Sequence, residues 1–450
     1  MSVSGAGSLT YDELREAGET FDRLGRAHAL VYPGSGGDRQ PVHTVYGGAQ
    51  LFRADTAPRL GELARRALAE HAPDAQALAA AIGIPQRLAT AVYARVEEKL
   101  RREPVEDLRI DFEDGYGTRP DAEEDGHALS VAEEVASGMR EGTLPEFLGI
   151  RIKTFSAELG PRALRTLDLF VTTLVRAAGR LPENFVVTLP KLTSAEQPAL
   201  LADVLDKLEG RLGLAPGSIA AEVMIETTQS IFDAEGRAVV RGLTAALRGR
   251  CRGAHFGTYD YTASCDITAA HQHMAHPACD FAKHVMQVAL AGTGVWLSDG
   301  ATNVLPVAVH RAPAGAELSA GEREENRASI VAAWRLHAQH VRSSLVQGFY
   351  QGWDLHPAQL VSRYAALYAF FLEGLDAASE RLRNFVGKAA QATLVGEVFD
   401  DAATGQGLLN YFLRALACGA IAEGEAIERS GLTLDELRSR SFVAILRGRR

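Results

Sequence analysis

The stretch L-R-I-D-F-E-D-G-Y-G-T-R-P, Leu108 to Pro120, decides how the chain is to be read. Leu108, Ile110 and Phe112 alternate with Arg109, Asp111 and Glu113, the period-two pattern of a strand with two different faces. Gly115 and Gly117 then end the run. Taken alone, the alternation fits a strand with one solvated face. What separates that from a buried strand ending in a functional cluster is whether the pattern recurs.

It does recur. Short apolar runs stand at 41–48, 147–155, 185–194, 221–228, 253–261, 294–300 and 348–357, the last two less regular. Amphipathic segments at helical spacing separate several of them, near 57–71, 161–179 and 195–213. Strands and helices in alternation call for a parallel sheet, and eight such units close a barrel. The fold expected is therefore an α/β (β/α)8 TIM barrel over 41–360, with helical insertions at 72–104 and 311–343. An N-terminal helical extension, 1–40, precedes it. Beyond Gln359 the strands stop, and 361–450 reads as a C-terminal α-helical domain placed as a lid.

Composition sets outer limits. Of 450 residues, 46% are hydrophobic and 23% charged, enough material for a large core. The formal charge is −10, and no basic stripe with interleaved aromatics is present, which argues against nucleic acid. No window approaches 18 uninterrupted apolar residues, and the N-terminus lacks the layout of a signal peptide. No membrane partner and a cytoplasmic location are expected. Cys251, Cys265, Cys279 and Cys418 lack zinc-type spacing and read as reduced, buried thiols. The cluster His271, His273, His276 lies just before Pro277, where a helix should start, and is set aside as a metal site.

A barrel carries its chemistry at the C-terminal ends of its strands. Polar residues stand at several of these ends: Glu113 and Asp114, then Arg151 and Lys153, then Glu226, then Asp260. Glu226 and Asp260 follow strongly apolar runs. Two such carboxylates repel each other unless a cation compensates, and a carboxylate pair completed by water and substrate oxygens is how Mg²⁺ is usually held. Mn²⁺ is the alternative ion. Arg151, inside an apolar strand, needs an anionic partner: it either balances Glu113 or Asp114, or serves a substrate carboxylate or a developing oxyanion. Glu113 and Asp114 are read as groups that orient metal-bound water.

The segments I-D-F-E-D-G, I-R-I-K, T-L-P-K-L-T-S-A-E, V-M-I-E-T-T, G-T-Y-D-Y and G-F-Y-Q-G-W-D-L-H-P-A-Q run in order from about residue 41 to 360. Together they resemble the HpcH/HpaI aldolase, citrate lyase beta subunit and malate synthase superfamily. The resemblance implies a Mg²⁺-dependent barrel acting on a 2-oxo acid and an acyl-CoA thioester through an enolate. On this basis Glu226 and Asp260 hold the metal, and Arg151 is catalytic. Glu113, Asp114, Lys191 and Thr258 bind substrate or support the metal's surroundings. F-D-D-A-A-T-G-Q-G, from Phe399, resembles the malate synthase segment in which an aspartate is the general base. This assigns that role to Asp401, whose alternative is a helix N-cap. Arg381, Arg383 and Lys388 are candidates for CoA by their nearness to Asp401 in sequence.

Two departures stand out. The family's G-K-W or G-T-W is Gln351-Gly352-Trp353 here, and the string after Arg151 is Ile152-Lys153-Thr154 in place of R-G-W-H. The second reading is a metal-dependent pyruvate-type aldolase without CoA, whose G-E-H histidine base has no counterpart at Glu113-Asp114-Gly115. A third is an oxo-acid-binding barrel without catalysis. Some relatives complete their site from a neighbouring subunit, so a homo-oligomer is among the expectations.

Overall fold

The structure, a computed structural model, describes residues 8–34, 37–313, 315–387, 393–395, 398–400 and 402–449. Helix α1 (Tyr11–Val31) precedes strand β1 (His43–Gly48). Helices α2 (Thr56–His71), α3 (Ala75–Ile82) and α4 (Ala89–Arg102) lead to β2 (Asp107–Asp111). Then α5 (Asp121–Glu141), β3 (Phe147–Arg151), α6 (Gly160–Ala178), β4 (Phe185–Leu189), α7 (Glu196–Leu212) and β5 (Ala220–Ile225) alternate. The circuit continues with α8 (Val240–Ala245), β6 (Cys251–Phe256), α9 (Thr258–Ser264), α10 (Pro277–Leu290) and β7 (Trp296–Ala301). It finishes with α11 (Ala320–Val346) and β8 (Gln351–Asp354). All eight strands pair in parallel, in sequence order, and β1 closes on β8. The barrel read from the alternation is present.

Helix α12 (Gln359–Gly387) leaves β8, and at 1.5 Å per residue its 29 residues span about 43 Å. A two-stranded antiparallel unit follows, β9 (Thr393–Val395) with β10 (Val398–Asp400), then α13 (Ala402–Ala417), α14 (Glu423–Ser430), α15 (Leu434–Ser439) and α16 (Phe442–Gly448). The expectation that strands stop at Gln359 is thus corrected. Three-residue strands are too short to show a hydrophobic period. Tyr411 Oη donates to the Phe371 carbonyl, Phe385 stacks on Phe442, and Arg414 Nη1 donates to Gln40, just ahead of β1. Helices α13 and α16 therefore pack on α12 at Phe371 and Phe385, toward the N-terminal ends of the strands.

The alternation in β2 has an unexpected cause. Every residue of β2 is buried, and neither face is solvated. Leu108, Ile110 and Phe112 belong to the apolar layer between barrel and helices, with Phe112 edge-on to Phe170 of α6. Asp107, Arg109 and Asp111 point into the barrel. Its centre is ionic where bulky aliphatic layers are the rule. Arg109 donates to Asp107 at 2.8 and 3.0 Å and to Glu222 at 2.7 Å. Glu222 also meets Thr188 Oγ1 at 3.1 Å and His255 Nε2 at 3.0 Å. Gly149 makes room for this guanidinium: a Cβ there would lie 2.6 Å from Arg109 Nη1.

Candidate active site at the barrel mouth

At the C-terminal ends of the strands the barrel opens into a cavity of about 340 Å³, lined by Tyr46, Asp111, Arg151, Glu226, Asp260 and Trp353 among others. Arg151 is its fixed cation. Its Nε and Nη2 donate to Asp111 at 2.8 and 2.6 Å, a two-pronged grip that immobilises the guanidinium plane. Asp111 in turn accepts the backbone N–H groups of Glu113 and Gly115 at 2.9 and 2.7 Å. The Arg151 Nη1 edge lies 3.3 Å from Glu113 and 3.4 Å from Asp114. Tyr46 and Trp353, stacked with centroids 4.3 Å apart, cover the guanidinium at 4.9 and 5.8 Å. Burial opposes the charge, but Asp111 and Glu113 outweigh it and hold the Arg151 pKa well above its usual value.

Lys191, just past β4, is the second cation. Its backbone sits in the left-handed region at φ 51°, unfavourable for a side chain bearing a Cβ. This turn aims two groups at the acids. The Lys191 N–H donates to Glu226 Oε1 at 2.7 Å, while Nζ contacts Glu113, Asp114 at 2.9 Å and Asp260 at 3.6 Å. Five carboxylates (Asp111, Glu113, Asp114, Glu226, Asp260) thus share the mouth with two cations.

Their titration follows. Glu226, 1% exposed, is pushed up to about 8 by burial and then by Asp260. Asp260 is also raised, by burial and Asp114 against the pull of Lys191 and Arg151. Glu113 is raised by its burial, whereas Asp114, more exposed, is lowered by its hydrogen bond to Glu113 and by Arg151 and Lys191. An excess of carboxylates with raised pKa values is a site prepared for added positive charge.

The structure brings Arg151, Glu226, Asp260, Glu113, Asp114, Lys191 and Thr258 to one mouth. It changes some details. Asp260 does not end a strand: β6 stops at Phe256, and Asp260 lies in the first turn of α9, its side chain 41% exposed. Lys153 turns away, pairing with Glu124 of α5 at 2.9 Å and donating to the Phe112 carbonyl. Asp401 and Lys388 lie outside the described residues. Among the cysteines, Cys279 and Cys418 are buried, but Cys251 and Cys265 only partly so. His276 caps α10 by accepting the Ala278 N–H, as the position before Pro277 implies.

Sequence reading missed the Asp111 grip on Arg151 and the Tyr46–Trp353 pair. Asp111 was visible in the opening stretch, but a barrel interior had to be known before its direction could be assigned. Thr258 Oγ1 is buried without a hydrogen-bond partner among the described residues. A Cβ at Gly300 would lie 2.1 Å from it, and one at Gly257 would lie 2.3 Å from Glu226 Oε2, so two glycines keep this side of the cavity open. A larger cavity, about 440 Å³, lies among α4, α12 and α13; its Arg39 and Lys99 are paired with Glu103 and Glu106.

No helix among the described residues is long and apolar enough to cross a membrane. No curated protein matches the sequence. Among solved structures, the chain is similar to a citrate lyase from Burkholderia xenovorans LB400, at 19% identity and a TM-score of 0.55, over 86% of this chain and 95% of that one. A malate synthase from Haloferax volcanii also matches, at 13% identity and a TM-score of 0.47, over 91% and 98%. So does the protein CitE from Mycobacterium tuberculosis, solved with magnesium, acetoacetate and coenzyme A, at 13% identity and a TM-score of 0.45, over 88% and 100%. The likeness to the first supports the closed parallel barrel. By sequence, residues 23–445 match the family described as a domain of unknown function, DUF6986, and the chain belongs to that family.

Proposed function

We propose that the protein is a Mg²⁺-dependent carbon–carbon lyase or synthase that joins or separates a 2-oxo acid and an acyl-CoA thioester through an enolate. The observation that carries this reading is the mouth itself. An arginine locked by Asp111 faces Glu226 and Asp260 across one cavity, where carboxylates outnumber cations. Two carboxylates, with water and substrate oxygens beside them, fit a hard divalent cation, so Glu226 and Asp260 would hold Mg²⁺. When bound, the ion supplies Lewis acidity toward the oxo acid's oxygens.

The chain's own groups do the remainder. Arg151, unable to lose its proton, meets the charge that develops on the reacting oxygen. A positioned donor of this kind contributes about 3 kcal/mol to the transition state. Lys191 balances Glu113 and Asp114 and sets Glu226 through its backbone N–H. Tyr46 and Trp353 hold the apolar side of the cavity and keep water from the guanidinium face. Asp401, by its resemblance to the malate synthase segment, removes the proton from the thioester carbon.

The test follows free CoA thiol in the presence of Mg²⁺, a panel of short acyl-CoA thioesters, and glyoxylate or pyruvate. Release that disappears with EDTA and in Asp401→Asn is the expected result. No release from any pair would overturn the thioester reading and favour the CoA-independent aldolase.

A further inference from the structure

The cavity at the mouth and the ionic layer in the barrel centre meet at one side chain, His255 of β6, which is buried. Its Nε2 lies 3.0 Å from Glu222 Oε2, and its Nδ1 lies 3.3 Å from the Trp353 indole Nε1. An indole N–H can only donate, and an ionised carboxylate can only accept. His255 therefore carries its proton on Nε2, toward Glu222, and offers the Nδ1 lone pair to Trp353. Glu222 is itself held by Arg109 at 2.7 Å and by Thr188 at 3.1 Å, so the barrel centre dictates the tautomer.

Trp353 is the part of the mouth that this contact orients. Its ring lines the cavity, stacks on Tyr46 and lies against the Arg151 guanidinium. The other neighbours are apolar: Met224 of β5 and Ala301 of β7 pack with it, and Tyr46 Oη reaches the Met224 sulfur at 3.9 Å. Apolar contacts are non-directional, whereas a hydrogen bond fixes an angle. A buried indole N–H needs a partner, and among the described residues His255 is the one it has.

We infer that His255 is a positioning residue for the mouth: by accepting the Trp353 N–H it sets the ring that walls the cavity, and it ties that ring to the Glu222–Arg109 pair. His255 acts through Trp353 and meets no reacting atom. That the wall contacts a substrate rests on the function proposed above; that His255 sets the wall does not.

The two ring nitrogens can be replaced one at a time. His255→Gln sets an amide donor where Nε2 was, keeping Glu222 and leaving the indole unpaired. His255→Asn sets a carbonyl acceptor where Nδ1 was, keeping Trp353 and giving up Glu222. The full chain, labelled at the indole nitrogens, reports on Trp353 by NMR, its resonance assigned by its loss in Trp353→Phe. In His255→Gln that resonance moves, and its proton exchanges with water about tenfold faster, the worth of one neutral hydrogen bond. In His255→Asn it stays in place while the urea midpoint falls. In the thiol-release assay, KM for the 2-oxo acid rises about tenfold in His255→Gln with kcat little changed, as for a lost binding contact, and His255→Asn restores it. Adding His255→Gln to Trp353→Phe raises KM no further, since the indole N–H is already gone.

Three results would each overturn the inference. They are a Trp353 resonance unmoved in His255→Gln, a KM that follows the urea midpoint and not the resonance, and effects of His255→Gln and Trp353→Phe that add. A wild-type protein that releases no thiol would overturn the thioester reading alone, and the Trp353 resonance and its exchange would still decide the role of His255.

Discussion

Glu222 lies in β5 and Glu226 directly after its last residue, four positions on along the same face, and both are buried. Their surroundings pull them in opposite directions. Burial would raise Glu222, but Arg109 and His255 outweigh it and hold its pKa down at about 2. Glu226 is pushed up to about 8 by burial and by Asp260, against the opposing pull of Arg151 and Lys191. The barrel centre is an ionic layer closed by its own hydrogen bonds. The mouth carries more acids, five beside two cations, and leaves their charge unbalanced. The first arrangement serves the fold and the second is the proposed metal site, because an unbalanced cluster destabilises the protein until something positive binds.

The comparison is broken most directly at the mouth. Glu226→Gln or Asp260→Asn should lower the rate of thiol release by about 10³-fold, or ~4 kcal/mol of barrel-mouth chemistry. Neither should reduce the melting temperature of the metal-free protein at pH 8. A variant that loses activity only because it unfolds would show the mouth to be structural after all.

Glu222→Gln is the mirror experiment. It leaves His255 without its acid and Arg109 with Asp107 alone in the barrel centre, and removing one partner of a buried ion pair costs about 3–5 kcal/mol. Urea unfolding should register this as a lower midpoint. A cost under ~1 kcal/mol would mean that the central layer is not what holds the barrel closed.

Arg151→Lys tests the fork geometry between these extremes. Lysine keeps the charge but loses the two-pronged hold of Asp111 and the planar face against Tyr46, so kcat/KM should fall by about 10²-fold, ~3 kcal/mol.

The smallest effect is on pH dependence. A carboxyl with a raised pKa keeps its proton in the folded state after the unfolded chain has lost it. Metal-free stability should therefore fall as pH rises from the usual carboxyl value of 4.5 through about 8, and level off above that. Chemical denaturation across this window should show a loss of stability that Mg²⁺ suppresses and Glu226→Gln reduces, the remainder coming from the raised Glu113 and Asp260. Stability rising through the same window would show that Glu226 is not the proton carrier.

Much of the fold was legible because strand and helix periods differ and the units repeat. Eight alternating runs leave little besides a barrel, and 185–194 or 221–228 needed only their apolar composition to be placed. The ends of the chain were harder. Two three-residue strands at Thr393–Val395 and Val398–Asp400 carry no period, and the packing of α13 on Phe371 joins residues 40 apart. The site was read by position: acids and an arginine at strand ends converge because the barrel makes those ends neighbours. Asp260 was expected at the end of a strand and lies in a helix, since G-T-Y-D-Y continues an apolar run while its backbone has already turned into α9.

The sequence by itself determined the parallel barrel and the residue types gathered at its mouth, because both follow from local period and order along the chain. Only the tertiary structure decided which acids are balanced and which are not. Arg109 is two residues from Asp111, yet it pairs with Glu222 across the barrel, while Asp111 takes Arg151 from the next strand. Coulomb energies depend on distance in space and on burial, and neither is written in the spacing of one strand. The alternation of Leu108 to Glu113 looked the same for a wet surface and for an ionic core. Closing the sheet on itself put its polar face inside.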